Sequence, residues 1–138
     1  MYPNVLVIPM REDLTRLGVT ELRTAEEVDE VFSDKKGTHL LIINSVCGCA
    51  AGNARPAVKI ALEHQIIPEK ITTVFAGQDQ DATAQARSYI EGYPPSSPSM
   101  ALFKNGQLVE MIQRHQIEGR TPEEIAYDLT LAFDKHCQ

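Results

Sequence analysis

The apolar residues of this chain come by turns at helical spacing and in short continuous runs, the pattern of an α/β fold. Thr24 and Glu27 stand at capping-box spacing, where a hydroxyl and a carboxylate three residues on satisfy free N–H groups at a helix start. Val28, Val31 and Phe32 follow as an apolar helical face, and Lys35, Lys36 and Gly37 give a cationic last turn and a stop. Residues 39–44, HLLIIN, form a continuous apolar run suited to a strand buried on both faces. From about 53 to 65, Ala54, Ala57, Val58, Ala61 and Leu62 return to helical spacing. ITTVFA at 71–76 reads as a second buried strand, followed by Gly77 and a helix over about 80–90, with Asp79 or Asp81 available as its cap.

Residues 92–99, GYPPSSPS, hold too many breakers for regular structure. Beyond them Asn105-Gly106 divides two apolar runs, 100–103 and 108–112, the strongest short signal for a hairpin because both residues accept the positive φ of a type I′ turn. Thr121, Pro122 and Glu124 combine an N-cap, a first-turn proline and a capping-box carboxylate, so a last helix is expected to run to about 135. A further strand is expected at 4–8. The order is helix, strand, helix, strand, helix, Pro-rich loop, hairpin, helix, which is the order of the thioredoxin-like fold: a central mixed β-sheet flanked by helices, expected as one domain over residues 1–138.

Composition narrows the function. A chain of 138 residues with 43% hydrophobic residues can build one core without disulfide staples. A net charge of -6 sets the surface against phosphate backbones and anionic membranes, so neither nucleic acid nor a membrane is expected as partner. The first ten residues have no basic segment and no cleavage site, and charges or turn formers interrupt every apolar stretch well short of a bilayer span, so a cytoplasmic location is expected.

Three cysteines are too few and too unevenly placed for a disulfide framework. Cys47 and Cys49, separated only by Gly48, fall where the 39–44 strand ends and the next helix begins. Backbone N–H groups and the positive end of a helix dipole there favour thiolate over thiol, and the thiolate is the attacking species. Cys47 is the expected nucleophile and Cys49 the resolving thiol, with Gly48 leaving the tight turn unobstructed. A disulfide across one intervening residue closes a small ring and is expected to be easily reduced. The competing reading is a metal-binding or metal-carrier protein built on the Cys-x-Cys pair, with Cys137 and His136 as further ligands, but a penultimate residue is ordinarily frayed and the other histidines have no ligand spacing. No glycine pattern supports a nucleotide, and no cofactor or metal is expected.

Ser97-Pro98-Ser99, just ahead of the hairpin, looks like the site where thioredoxin-like folds place a cis-proline, the preceding residue offering its backbone to an incoming peptide or thiol. Arg55 stands close enough after the motif to stabilise the thiolate or receive an anionic thiol, against the plainer reading of a surface ion pair.

The stretch SVCGCAAG at 45–52, with Arg55-Pro56-Ala57, FAGQD at 75–79 and PPSSPS at 94–99, closely resembles the bacilliredoxin family over nearly the whole chain. That resemblance implies a thiol–disulfide oxidoreductase that removes bacillithiol from protein mixed disulfides and has weak disulfide isomerase activity. Its expected partners are S-bacillithiolated or disulfide-bonded proteins and a low-molecular-weight thiol, with bacillithiol as co-substrate. Carried over, Cys47 is the nucleophile and Cys49 the second motif cysteine. The chain starts slightly early in the family pattern, which touches no motif residue.

Overall fold

A computed structural model describes residues 1–138. The elements in chain order are α1 (Asn4–Thr15), β1 (Thr20–Glu21), α2 (Ala25–Ser33), β2 (Thr38–Asn44), α3 (Arg55–Ala61), β3 (Lys70–Phe75), α4 (Gln80–Ser88), β4 (Ser99–Lys104), β5 (Gln107–Ile112) and α5 (Pro122–His136). A π-helical turn, Ala50–Ala54, leads into α3, and a short 3₁₀ turn, Arg114–Gln116, follows β5.

One mixed sheet joins the strands in the order β1-β3-β2-β4-β5. β1 and β2 both run parallel to β3, while β4 is antiparallel to β2 and β5 to β4. All seven residues of β2 are buried, as its unbroken apolar run requires of a central strand. Alternation then divides its side chains between two cores. Leu40 and Ile42 pack with Ala57, Val58, Leu129 and Phe133 beneath α3 and α5. Leu41 and Ile43 pack with Val28, Phe32, Ala82 and Ala86 beneath α2 and α4. Each such aliphatic side chain contributes about 1.5–3 kcal/mol on burial, so β2 anchors both halves of the molecule.

The capping boxes form as expected: Thr24 Oγ1 accepts from Glu27 N–H, and Thr121 Oγ1 from Glu124 N–H. The hairpin turns at Asn105 (φ 51°) and Gly106 (φ 84°), with a bulge between Leu102 and Phe103. Two expectations are corrected. Residues 4–8 are not a strand but the first turns of α1, because Val7, Arg11 and Leu14 share a buried face at i, i+4 and i+7 that five residues alone do not display. Asp79 does not cap α4 with its side chain. Its carboxylate instead takes two hydrogen bonds from Arg11, at 2.6 and 3.1 Å, and tethers α1 to the end of β3. Arg11 lies over the Phe75 ring and also reaches Glu21, which explains how α1 tolerates a buried guanidinium.

Ile43 pairs with Ser99 and Asn44 with Phe75, so the ends of β2 and β3 and the start of β4 share one edge of the sheet. Thr38, pairing with Lys104, marks the opposite edge. No helix is long and apolar enough to cross a membrane.

Candidate active site

At the shared edge the chain leaves β2 at Asn44, and helical backbone begins three residues after Ser45, at Gly48, and continues to Ala61. The Cys47 carbonyl accepts from the N–H groups of Ala50 and Ala51, which makes Cys47 the residue at which the helix starts. Its sulfur is therefore presented to the N–H groups of Cys49 and Ala50 in the first turn. All three cysteines are unbonded, so the pair is described as a dithiol.

A clamp beneath the motif fixes this geometry. Asn44 Oδ1 accepts from Ser45 N–H and from Arg55 Nη1, each at 2.9 Å, and its amide donates to the Met10 carbonyl of α1. Arg55 Nη1 also donates to the Ser45 carbonyl at 2.9 Å, and Nε to Asp13 at 3.0 Å. Arg55 is 5% exposed. Its place is thus under the strand end, binding β2, α3 and α1 together, and not in a surface ion pair.

The two sulfurs stand in opposite environments. Partial burial works against ionising Cys47, but the Ser45 hydroxyl, the N–H groups of Ala50 and Cys49, and the charge of Arg114 outweigh it and hold this thiol below its ordinary value. Cys49 is pushed up, first by burial against the α3–α5 core, then by the negative charges of Cys47 and Glu118 and by its own hydrogen bond to Cys47. Of the two thiols Cys47 is therefore the one that ionises first and Cys49 the one that keeps its proton to higher pH.

The Pro-rich loop faces this pair. The Ser97–Pro98 peptide is cis, and Pro98 is buried while Ser97 is half-buried. Ser97 N–H makes no hydrogen bond within the chain, which leaves it available to an acceptor on an incoming group. The Ser97 carbonyl is taken by Arg114 Nη1 at 3.0 Å. Arg114, on the turn after β5, also pairs with Glu118 and brings Nη2 to 3.9 Å from Cys49 Sγ. One guanidinium therefore links the cis-proline loop, the sulfur pair and a carboxylate. Nothing local in the sequence marks Arg114: it lies 65 residues from Cys49 and is brought there only by the β4–β5 hairpin folding back along the sheet.

Cys137 lies apart from the pair. It packs at the Thr38 end of β2, roughly 20 Å along the seven-residue strand from the Asn44 end, with its thiol pushed up by burial. It is too distant to complete a site with Cys47 and Cys49.

Comparison with known proteins agrees with this geometry. The model of the family described as "Disulphide isomerase" matches residues 2–137. A bacilliredoxin of Koribacter versatilis (strain Ellin345) is 53% identical over 137 residues, covering 99% of this chain and 94% of the relative. The chain belongs to the bacilliredoxin family. A bacilliredoxin of Staphylococcus epidermidis is 50% identical over 138 residues, covering 100% of this chain and 94% of the relative. Among solved structures, Fasciola hepatica thioredoxin superposes with a TM-score of 0.58 at 18% identity, covering 86% of this chain and 99% of the other, which shows the thioredoxin fold. As a bacilliredoxin-family member the chain is a thiol–disulfide oxidoreductase.

Proposed function

We propose that this chain removes bacillithiol from protein mixed disulfides, with Cys47 as nucleophile and Cys49 as resolving thiol. The Cys47 thiolate attacks the bacillithiol sulfur; a Cys47–bacillithiol disulfide forms, the original S–S bond breaks, and the substrate protein leaves as a thiolate that takes up a proton. Cys49, on losing its proton, then attacks Cys47 Sγ, closing the Cys47–Cys49 disulfide and expelling bacillithiol. Two electrons come from the cysteine pair, so no bound cofactor is needed, and two molecules of a low-molecular-weight thiol return the pair to the dithiol, leaving joined as their own disulfide. The same exchange steps on a disulfide-bonded protein give weak isomerase activity. Gly48 leaves the approach to Cys47 open, and Ser97 N–H beside Pro98 orients the incoming disulfide. Such chemistry suits a reducing compartment, the cytoplasm.

The observation that carries this reading is the split between the sulfurs, a thiol held down at Cys47 beside one pushed up at Cys49. It supports attack by the first and a retained proton on the second. The test incubates the reduced protein with one carrier protein modified by bacillithiol or by glutathione and follows both by intact mass. Faster loss of the bacillithiol adduct is expected. Equal or faster loss of the glutathione adduct overturns the choice of thiol.

A further inference from the structure

Between the C-terminal end of α1 and the outer side of α3 lies a cavity of about 300 Å³, lined by Asp13, Arg16, Ala51, Arg55, Pro56 and Lys59. In a chain with a net charge of -6 this hollow gathers three cations around one carboxylate. Asp13 is already shared between Arg55 Nε and Arg16 Nη2, at 3.0 and 3.2 Å. Lys59 is exposed and has no carboxylate partner. Arg55, though 5% exposed, spends only Nε and Nη1 on the chain. Its Nη2 makes no hydrogen bond and is not fully buried, and the residue lines the hollow.

The approach from the sulfur to this hollow is bare. The exposed residues between Cys47 and Arg55 are Gly48, Ala51 and Gly52, which together add one methyl group. Neither glycine has a positive φ, and a Cβ built on either meets nothing within 4 Å. The fold itself therefore does not require a glycine at 48 or 52. Along a helix the distance from residue 47 to residue 55 is roughly 12 Å, within the reach of a small thiol conjugated to a peptide or sugar.

We propose that the α1–α3 hollow is an anion subsite that receives the carboxylates of a small thiol whose sulfur is joined to Cys47. The assignment rests on the proposed transfer of a low-molecular-weight thiol to Cys47. Arg55 Nη2 supplies a preorganised donor held by the clamp under β2, and Lys59 and Arg16 supply mobile charge at the rim. Recognition of this kind favours thiols that carry carboxylates over neutral ones and does not depend on the substrate protein.

The test measures second-order transfer rates from one carrier protein bearing three adducts: bacillithiol, glutathione and neutral 2-mercaptoethanol. The variant combines Arg16→Gln and Lys59→Gln, both at exposed positions, which avoids disturbing the buried Arg55 clamp. Transfer of the carboxylate-bearing adducts is expected to slow by about five- to tenfold, while the neutral adduct changes by less than about twofold. High salt should erase the wild-type preference for the anionic adducts. An equal slowing of all three adducts, or no slowing of any, overturns the subsite. If the bacillithiol adduct alone slows, the hollow reads that thiol's carboxylates and the subsite stands. A wild-type protein that takes up none of the adducts overturns the transfer reading itself, a result distinguishable from the others because the neutral adduct makes no use of the hollow.

Discussion

Ser45 and Cys47 hold each other twice: the Ser45 hydroxyl donates to Cys47 Sγ at 3.2 Å and accepts from the Cys47 N–H at 3.4 Å. The first contact favours the thiolate and the second fixes the rotamer that makes it. Ser45→Ala removes a hydrogen bond to a charged group, worth about 1.5 kcal/mol, and is expected to slow exchange at neutral pH by on the order of tenfold. Since the native thiol is held below its ordinary value, the rate should rise with pH and level off above that lowered value. The variant's inflection should move to higher pH. Absorbance of the thiolate, followed through a pH titration, checks both the direction and the residue.

Arg114 and Glu118 act on the same sulfurs with opposite sign, Arg114 favouring charge on Cys47 and Glu118 disfavouring it on Cys49. Arg114→Gln should move the Cys47 inflection up and slow exchange, and Glu118→Gln should leave Arg114 free to sit closer to the sulfurs and have the reverse effect. Both groups are largely solvated, so changes of up to about fivefold are expected, shrinking as salt is added. Stopped-flow exchange with a neutral disulfide at two ionic strengths measures them.

The parts of this fold that are legible in sequence are those written in local pattern. The capping boxes at Thr24 and Thr121, the apolar run of β2 and the Asn105-Gly106 turn each follow from a few adjacent residues, and each stands in the structure. Cys47-Gly48-Cys49 is legible for the same reason. What escapes is whatever depends on distant pairing. Asp79 has the composition of a cap, but a buried guanidinium 68 residues away takes its carboxylate. Arg114 has no local signature at all, and the helical face of α1 emerges only when residue 7 is read together with residue 14.

The Arg11–Asp79 pair gives a stability prediction. Arg11 is 7% exposed, and Asp79→Ala would leave it with Glu21 as its remaining hydrogen-bonded carboxylate. Loss of one partner from a buried charge costs about 3 kcal/mol, enough to lower the urea midpoint clearly while leaving the far-UV spectrum of the folded protein unchanged. A midpoint within experimental error of the parent would show that Glu21 alone satisfies the guanidinium.

His39, buried in β2 with its Nε2 2.6 Å from Thr72 Oγ1, is pushed down to about 4 from 6.5, chiefly by burial and secondly by Lys70. The native ring stays neutral where the unfolded ring takes a proton. Below about pH 6.5 the unfolded chain therefore binds more protons, and stability must fall as pH drops toward 4. Two to three pK units correspond to about 3 kcal/mol, reached near pH 4. Urea unfolding at pH 7 and pH 4 should show that loss in the parent protein and much less of it in His39→Gln, whose amide does not titrate.

The sharpest test of the site concerns the division of labour between Cys47 and Cys49. The thiol with the favoured thiolate should attack, and the one that keeps its proton should resolve. Cys47→Ser is therefore expected to abolish transfer from a mixed disulfide, with no adduct visible by intact mass. Cys49→Ser retains the Ser45 hydroxyl, the first-turn N–H groups and Arg114 around Cys47. Attack should persist in that variant, and the small thiol should accumulate on Cys47 until another thiol displaces it. Added low-molecular-weight thiol should then restore turnover, which separates a missing resolving group from a damaged nucleophile. Adducts trapped on Cys49 in the Cys47→Ser protein would reverse the assignment, and with it the claim that the start of the helix, not the buried core side, selects the attacking sulfur.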